Sequence, residues 1–191
     1  SPYARLRSVD MGDVRWTRGF WADKFAQCAE VMVPHMWQLL SNTQISFAYH
    51  NFTVAAGRSP GRHRGPKWND GDFYKWLEAA AYVYGVTQDA ALDALMDEII
   101  QVIAEAQRED GYLHTPVIIE QRQGMDRARE FAERLDFETY NLGHLMTAAC
   151  VHWRATGKTN LLDVARRAAD YLYGYYQAAT ADLARNAICP S

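Results

Sequence analysis

Two short segments of the sequence carry the side chains that could do chemistry. The first is WNDGDFYKW, residues 68–76, and the second is LDFETYNLGHL, residues 135–145. Each combines carboxylates, aromatic rings and a basic side chain, which are groups that hydrogen-bond sugar hydroxyls and stack on sugar faces. The candidate binding residues are Trp68, Asp70, Asp72, Lys75, Glu138, Tyr140 and His144. If the two segments lie together, they predict a carbohydrate cleft.

Several of these residues also have a simpler structural interpretation. Asp70 and Asp72 stand where a helix begins, so either could be no more than a capping residue. Trp76 falls among apolar positions and is interpreted as a core residue, which leaves Trp68 as the better candidate for stacking on a sugar. A single histidine on an apolar helix, such as His144, is most often a structural group. The pattern alone leaves both interpretations open.

Apolar residues at helical spacing account for most of the chain. They predict helices over residues 21–40, 72–85, 89–111, 137–157 and 159–178. Asp72 and Asp89 are the expected N-caps of two of these helices, and Gly85 and Gly111 are their expected ends. Pro34 should kink or divide the first helix.

The remaining segments, residues 50–67 and 114–135, are predicted to be loops, and no strand with period-2 alternation is present. The segment EDGYL, residues 109–113, is interpreted as a helix end followed by a turn whose Tyr112 and Leu113 fold back to pack. The sequence therefore predicts an all-α protein.

An internal repeat organises these helices. Residues 80–103 align with residues 149–172 at an offset of 69 residues, so that Ala80 matches Ala149 and Leu92 matches Leu161. Helical hairpins of one size stack into a solenoid or close into an (α/α)6 toroid of alternating inner and outer helices. About three hairpins fit into this length, which predicts roughly half of such a barrel in a single domain spanning residues 1–191.

The same offset aligns the starts of the two polar and aromatic segments. The N-termini of the inner helices of a toroid converge on one mouth. Their unpaired N–H groups and the helix dipole favour hydroxyl groups and anions there. This placement strengthens the prediction of a sugar cleft, although any polar pocket would share these features.

Composition excludes several other classes of function. The 191 residues carry a net charge of −3 with a pI near 6.0, which argues against nucleic acid or an anionic membrane as the main partner. No apolar run approaches the roughly 20 residues of a membrane span. The first residues lack the apolar centre of a secretory signal, which favours the cytoplasm, with secretion or a periplasmic location open if a signal was removed.

The cysteines and short motifs point to no other chemistry. Three widely spaced cysteines form neither a disulfide framework nor a zinc motif, and Cys28 and Cys150 are expected to be buried free thiols. The chain contains no phosphate-binding loop, no GxSxG elbow and no HExxH motif. Paired carboxylates for glycoside hydrolysis could come from Asp70, Asp72, Glu78 and Glu138, but the sequence does not give their separation.

Three classes of function therefore remain. The first is a glycoside hydrolase. The second is another carbohydrate-active toroid, such as a sugar epimerase or a polysaccharide lyase. The third is a non-catalytic helical-repeat scaffold that presents a concave surface to a protein or glycan. Half a barrel would leave apolar inner faces open, so self-association or pairing with a complementary half is also expected.

The ordered motifs DFYKWLEAAAYVYG, AQREDGYLHT, FETYNLGHLMTAACVHWRATG and the closing CPS resemble the N-terminal half of glycoside hydrolase family 127, the β-L-arabinofuranosidase-like group. The resemblance covers residues 14–191 approximately. It implies an (α/α)6 catalytic barrel and retaining removal of terminal L-arabinofuranose or a related sugar from plant-derived glycans. It also implies a cysteine nucleophile in a zinc site and a glutamate acid/base. In members of the family these residues lie in the second half of the barrel, which is absent from this chain.

The resemblance can be carried over position by position. Glu138, Tyr140, Gly143 and His144 match the family segment HE-x-Y-x-x-GH. Phe137 replaces a histidine that contacts substrate in many members, which puts the exact sugar in doubt. Cys189 does not match the position of the nucleophile. The resemblance therefore implies a chain with part of the substrate cleft, no catalytic residue and no zinc ligand, and hence no hydrolysis by the 191 residues alone.

Overall fold

The computed structural model describes residues 8–125 and 129–182, together with residues 3, 5 and 6, and these residues form helices and no strand. The main helices are α1 Phe20–Gln27, α2 Val33–Leu40, α3 Ala48–Ala55, α4 Asn69–Thr87, α5 Ala90–Ala106, α6 Thr115–Arg122, α7 Glu138–Thr156 and α8 Asn160–Ala178. Short 3-10 helices lie at Met11–Asp13 and Arg134–Asp136. The predicted all-α class is confirmed.

The structure also reproduces the repeat. Helices α4 and α7 both have 19 residues and begin 69 positions apart, at Asn69 and Glu138. Each is followed by a helix that packs beside it, α5 after α4 and α8 after α7. The repeat-related residues Ala80 and Ala149 are both fully buried. The chain is therefore built of helical hairpins, about half of an (α/α)6 toroid, with α4 and α7 as neighbouring inner helices.

Helices α4 and α7 run parallel and in register, and small residues let them approach closely. A Cβ atom on Gly71 would lie 2.5 Å from Oδ1 of Asn141 on α7. One on Gly85 would lie 3.5 Å from Cβ of Ala155 on α7 and 3.1 Å from Cβ of Met11 in the first 3-10 helix. The prediction that Gly85 ends the helix is wrong, because α4 continues to Thr87 and its C-cap is Gln88, with a φ of 57°. Gly85 serves close packing rather than termination.

Three further boundary predictions have different outcomes, and only that for Asp89 is confirmed. Asp89 is the N-cap of α5, and its Oδ1 accepts hydrogen bonds from the N–H groups of Ala91 at 2.8 Å and Leu92 at 3.4 Å. Asp72 is not a cap, because α4 begins three residues earlier. Helix α5 ends at Ala106, and Gly111 lies in the following turn, where a Cβ would come within 2.2 Å of the Arg167 carbonyl oxygen.

The first predicted helix is divided near Pro34, as expected. A π-helical segment, Cys28–Met32, separates α1 from α2, and Pro34 lies in the first turn of α2, where its missing N–H is tolerated. The two predicted loops are partly wrong, because they contain α3 and α6. Helix α6 buries Val117, Ile118 and Ile119 consecutively, so it lacks the one-sided spacing by which a helix is recognised in sequence.

The aromatic and cysteine predictions can also be compared with the structure. Trp76 is buried, stacks on Trp37 at 5.2 Å between ring centroids and donates from Nε1 to the Val33 carbonyl oxygen, as expected for a core residue. Cys28 is only half-buried, and Cys150 is exposed, so the prediction of a buried thiol is wrong for Cys150. Its position on α7 faces away from the neighbouring helices. Cys189 lies outside the described residues.

Candidate functional site

The starts of α4 and α7 bring all seven predicted site residues into one region. Five of them reach the surface: Trp68, Asp72, Lys75, Tyr140 and His144. The other two, Asp70 and Glu138, are 1% and 3% exposed. The site therefore has an accessible polar and aromatic layer above a buried carboxylate layer.

Lys75 is the centre of the accessible layer. Its Nζ donates hydrogen bonds to Asp72 Oδ1 at 2.9 Å and to the Tyr140 hydroxyl oxygen at 2.5 Å. It also lies 4.9 Å from the centroid of the Tyr140 ring. Partial burial opposes the charge of Lys75, but the bonds to Tyr140 and Asp72 outweigh it and raise the pKa of this ammonium. Lys75 is therefore a fixed cation that joins α4 to α7.

His144 extends this cluster along α7. Its imidazole contacts the Tyr140 ring edge to face at 4.6 Å between centroids. Burial lowers the pKa of His144, and the positive charge of Lys75 lowers it further. The ring is therefore neutral near pH 7, with one nitrogen that donates and one that accepts hydrogen bonds.

Aromatic rings form a row along the edge of the cluster. Trp68 contacts Phe137 at 5.2 Å between centroids, and Phe137 contacts Tyr140 at 5.9 Å. Phe137 is the residue before α7 and has a φ of 60°, a backbone conformation that residues other than glycine rarely adopt. Trp68 remains 44% exposed. Its ring is thus accessible to a ligand, unlike that of Trp76.

The carboxylate of Asp70 is bound by the segment that leads into α6. Its Oδ2 accepts a hydrogen bond from the backbone N–H of Thr115 at 2.7 Å, and its Oδ1 accepts one from the Thr115 hydroxyl at 2.6 Å. Nδ1 of the fully buried His114 lies 3.5 Å from Oδ2. Asp70 therefore anchors the first turn of α4 to the start of α6.

Glu138 anchors the first turn of α7 in the same way, by hydrogen bonds from other segments. Its Oε1 accepts a hydrogen bond from the Tyr112 hydroxyl, and its Oε2 accepts one from the Phe131 backbone N–H at 2.6 Å. Burial raises the pKa of Glu138, although the nearby His114 and the two hydrogen bonds oppose the increase. Tyr112 belongs to the EDGYL turn, which folds back to pack as predicted.

Asn141 completes the buried layer and was missed by sequence reasoning. Its Oδ1 accepts from the Gly71 N–H at 3.0 Å, and its Nδ2 donates to the Lys67 carbonyl oxygen at 2.9 Å. A glycine in the first turn of a helix, as Gly71 is, signals close approach by another element and could have pointed to such a partner. Thr115 and His114 offered no comparable signal.

The family resemblance implies a zinc site whose ligands lie outside this chain. Across residues 8–125 and 129–182, no three His, Cys, Asp or Glu side chains form a group that could hold a metal ion. We therefore assign no chemical step to a metal in this chain.

None of the described helices combines the length and the apolar character that a bilayer crossing requires.

Comparison with known proteins identifies the fold and the family. The model of the GH127 catalytic domain of β-L-arabinofuranosidases matches residues 13–191. A non-reducing end β-L-arabinofuranosidase of Bifidobacterium longum subsp. longum is 34% identical over 176 residues, which are 84% of this chain and 27% of that protein.

Two solved structures agree with this match. A GH127 β-L-arabinofuranosidase from Geobacillus stearothermophilus T6 superposes with a TM-score of 0.77 at 34% identity, over 83% of this chain and 25% of that one. A second GH127 β-arabinofuranosidase gives 0.73 at 33% identity, over 85% and 26%. The chain thus spans about a quarter of the length of these relatives. It belongs to the GH127 β-L-arabinofuranosidase family.

Proposed function

We propose that this chain forms part of the sugar-binding cleft of a retaining glycosidase that removes terminal L-arabinofuranose or a related sugar from a plant-derived glycan. The observation that carries the proposal is the Lys75 ammonium, held between Asp72 and Tyr140 on an accessible surface. The nucleophile and the zinc ligands belong, in this proposal, to a part of the enzyme outside this chain.

The hydrogen-bonding capacity of the accessible layer suits a neutral polyol. Lys75 has three N–H groups, and Asp72 and Tyr140 use two of them. Neutral His144 adds a donor and an acceptor on the same surface. Sugar hydroxyls both donate and accept, so they match such a mixed set better than a purely anionic or cationic ligand would.

The charge of the cluster also bears on the reaction class. Lys75 and Asp72 neutralise each other, and the nearby Glu78 contributes a further negative charge. A polysaccharide lyase acting on uronic acids needs cationic groups to balance the substrate carboxylate. The local balance favours a neutral sugar, and hence a hydrolase over a lyase.

Asp70 and Glu138 have an indirect role in this proposal. Both oxygens of each carboxylate already accept hydrogen bonds from the protein's own donors. We infer that they position the helix starts that carry Trp68, Lys75 and Tyr140, and that they do not contact the sugar. Phe137, which stands where many relatives have histidine, offers the sugar an apolar edge instead of a hydrogen bond.

The proposal can be tested by titrating the isotopically labelled chain with methyl β-L-arabinofuranoside and following amide shifts by NMR. We expect saturable shifts at the starts of α4 and α7. Lys75→Met should weaken binding at least about tenfold, because it removes a charged donor. The exposed Lys24→Met on α1 is the matched control and should bind as the wild type does. No binding by the wild type, or equal binding by Lys75→Met, would contradict the proposal.

Catalysis by the isolated chain is a separate question. We expect the purified 191-residue protein not to hydrolyse 4-nitrophenyl arabinofuranosides, because the proposal places the nucleophile outside it. The measurement is release of 4-nitrophenolate above that of a matched blank. Turnover that disappears in a Lys75→Met preparation would show that this chain contains its own catalyst.

A further inference from the structure

An apolar groove lies between the first helices and the start of α5, away from the proposed sugar cleft. Its volume is about 550 Å³, within the range of small-molecule sites. Residues of α1, the π-helical segment and α2 form one wall, the first two turns of α5 form the other, and α4 forms the floor. None of the seven residues assigned to the sugar cleft is among the described residues that line it.

The groove exists because α3 covers only part of the space between α2 and α5. The Tyr49 ring of α3 contacts Trp37 of α2 at 5.1 Å between centroids. Arg58, just after α3, forms an ion pair at 2.5 Å with Glu105, near the end of α5. Helix α3 thus packs against the later turns of α5 and leaves the first two turns facing the groove.

Aromatic rings form much of the lining. Trp16 contacts Phe25 at 5.8 Å, and Trp37 stacks on Trp76 at 5.2 Å, both between centroids. Trp76 is buried at the floor, whereas Trp16 is 51% exposed. Such rings bury apolar or aromatic ligands, and their faces attract cations.

The wall opposite α5 has an irregular backbone. Cys28–Met32 is π-helical, and the Val33 N–H donates to the Cys28 carbonyl oxygen, five residues back. In this register the Ala29 carbonyl oxygen would accept from residue 34, which is Pro34 and has no N–H. Ala29 and Pro34 both line the groove. The wall therefore offers a ligand a backbone acceptor, and π-helical segments are frequent at functional sites.

The charge of the groove is negative. Glu30 and Asp89 are its charged residues, and no lysine, arginine or histidine is among the described residues that line it. Asp89 already accepts hydrogen bonds from the start of α5. Glu30, on the π-helical segment, is exposed. A carboxylate beside apolar rings favours a cation and disfavours a ligand carboxylate or phosphate.

We propose that this groove is a binding site for an organic ammonium ion with an apolar body, such as an arylalkylamine. The body packs against Trp16, Phe25 and Trp37. The ammonium group lies at the rim, where it donates hydrogen bonds to the Glu30 carboxylate and the Ala29 carbonyl oxygen. This site does not depend on the proposed sugar binding, because it shares no residue with that cleft.

The test uses three probes that share an indole body and differ in the charge of one group: tryptamine, tryptophol and indole-3-propionate. Binding to the isotopically labelled chain is followed by amide shifts in NMR. We expect tryptamine to give saturable shifts in residues 28–34 and at the start of α5. Tryptophol should bind more weakly, and indole-3-propionate at least about tenfold more weakly than tryptamine, because its carboxylate is repelled.

Two substitutions separate the charge of the groove from its apolar lining. Glu30→Gln should weaken tryptamine binding about threefold and leave tryptophol binding unchanged, because the ion pair is exposed. Glu98→Gln, at an exposed position of α5 outside the lining, is the matched control and should bind as the wild type does. Ala26→Trp places a ring inside the groove and should abolish binding of all three probes.

Several outcomes would overturn the site. One is tryptamine binding no tighter than indole-3-propionate, and another is shifts confined to the starts of α4 and α7. Equal tryptamine affinity in Glu30→Gln and the wild type, or an equal loss in Glu98→Gln, would also contradict it. Thermal unfolding verifies the fold of each variant, and if Ala26→Trp does not fold, the comparison of Glu30→Gln with Glu98→Gln decides.

Discussion

The starts of α4 and α7 occupy equivalent positions in the repeat and carry complementary chemistry. Trp68 corresponds to Phe137, and their rings touch. Lys67 corresponds to Asp136, and they form an ion pair. Gly71 corresponds to Tyr140, whose ring would lie 3.1 Å from a Cβ on the glycine. Because the two helices are parallel and in register, equivalent residues of the repeat lie side by side. The two members of each of these pairs therefore differ in size or charge, so that they can pack against each other.

The largest expected effect is on stability, and it compares removal of the buried carboxylate of Asp70 with removal of the exposed carboxylate of Asp72, both on α4. Asp70→Ala removes both acceptors of Thr115 and leaves its N–H and hydroxyl buried without them. We expect a loss of about 3 kcal/mol in the free energy of unfolding, measured by urea denaturation. Asp72→Ala, at an exposed position, should change it by less than about 0.5 kcal/mol. Equal losses would mean that the two layers of the site are not distinct.

The second effect tests the small residue that lets the helices meet. Gly71→Ala would place a Cβ 2.5 Å from Asn141 Oδ1, which would displace the side chain that accepts from the Gly71 N–H. We expect a loss of about 1–3 kcal/mol in the same measurement.

Gly143, on the open face of α7, is the matched control for that substitution. A Cβ at Gly143 would meet nothing within 4 Å. Gly143→Ala should therefore stabilise the protein by up to about 1 kcal/mol, because alanine favours the helix. A destabilised Gly143→Ala together with a neutral Gly71→Ala would reverse our description of the α4–α7 contact.

The smallest effect concerns the far ends of the two helices, where α7 has His152 and α4 has Val83. His152 is fully buried, and neither of its ring nitrogens has a hydrogen-bond partner among the described residues. Burial lowers the pKa of His152 below its usual 6.5. The unfolded chain therefore binds the proton more readily, so this contribution to stability is complete above pH 6.5 and is lost as the pH falls through the folded-state pKa.

His152→Val, which copies the residue of α4, should reduce this pH dependence. We expect the variant to lose less stability than the wild type between pH 8 and pH 5, measured by thermal unfolding across that range. His63 and His144 also have lowered pKa values and remain, so the dependence should weaken rather than disappear. An unchanged profile would mean that His152 takes up its proton without cost in the folded state.

The repeat and the helix pattern made much of the fold predictable. The spacing of apolar residues located α4, α5, α7 and α8, because each buries one face against its neighbours. Helices α3 and α6 were missed since both are short, and α6 is buried on consecutive residues. The end of α4 was misjudged because the sequence does not distinguish a glycine that ends a helix from one that admits a neighbour.

The candidate site was predictable by residue type and not by role. Aromatic and charged residues at repeated helix starts indicated the region, and the structure brings all seven of them there. Which of them are buried depended on partners far away in sequence, such as Thr115 for Asp70 and Tyr112 for Glu138. Local patterns do not carry such pairings.

The sequence by itself determined the all-α class, the 69-residue repeat and the identity of the groups at the helix starts, because these depend on local spacing and side-chain chemistry. The tertiary structure alone decided that Lys75 bridges Asp72 and Tyr140 and that Asp70 and Glu138 lie beneath them. Those outcomes depend on the close parallel packing of α4 and α7. Burial and hydrogen-bond partners are set by which surfaces meet, and only the folded chain settles that.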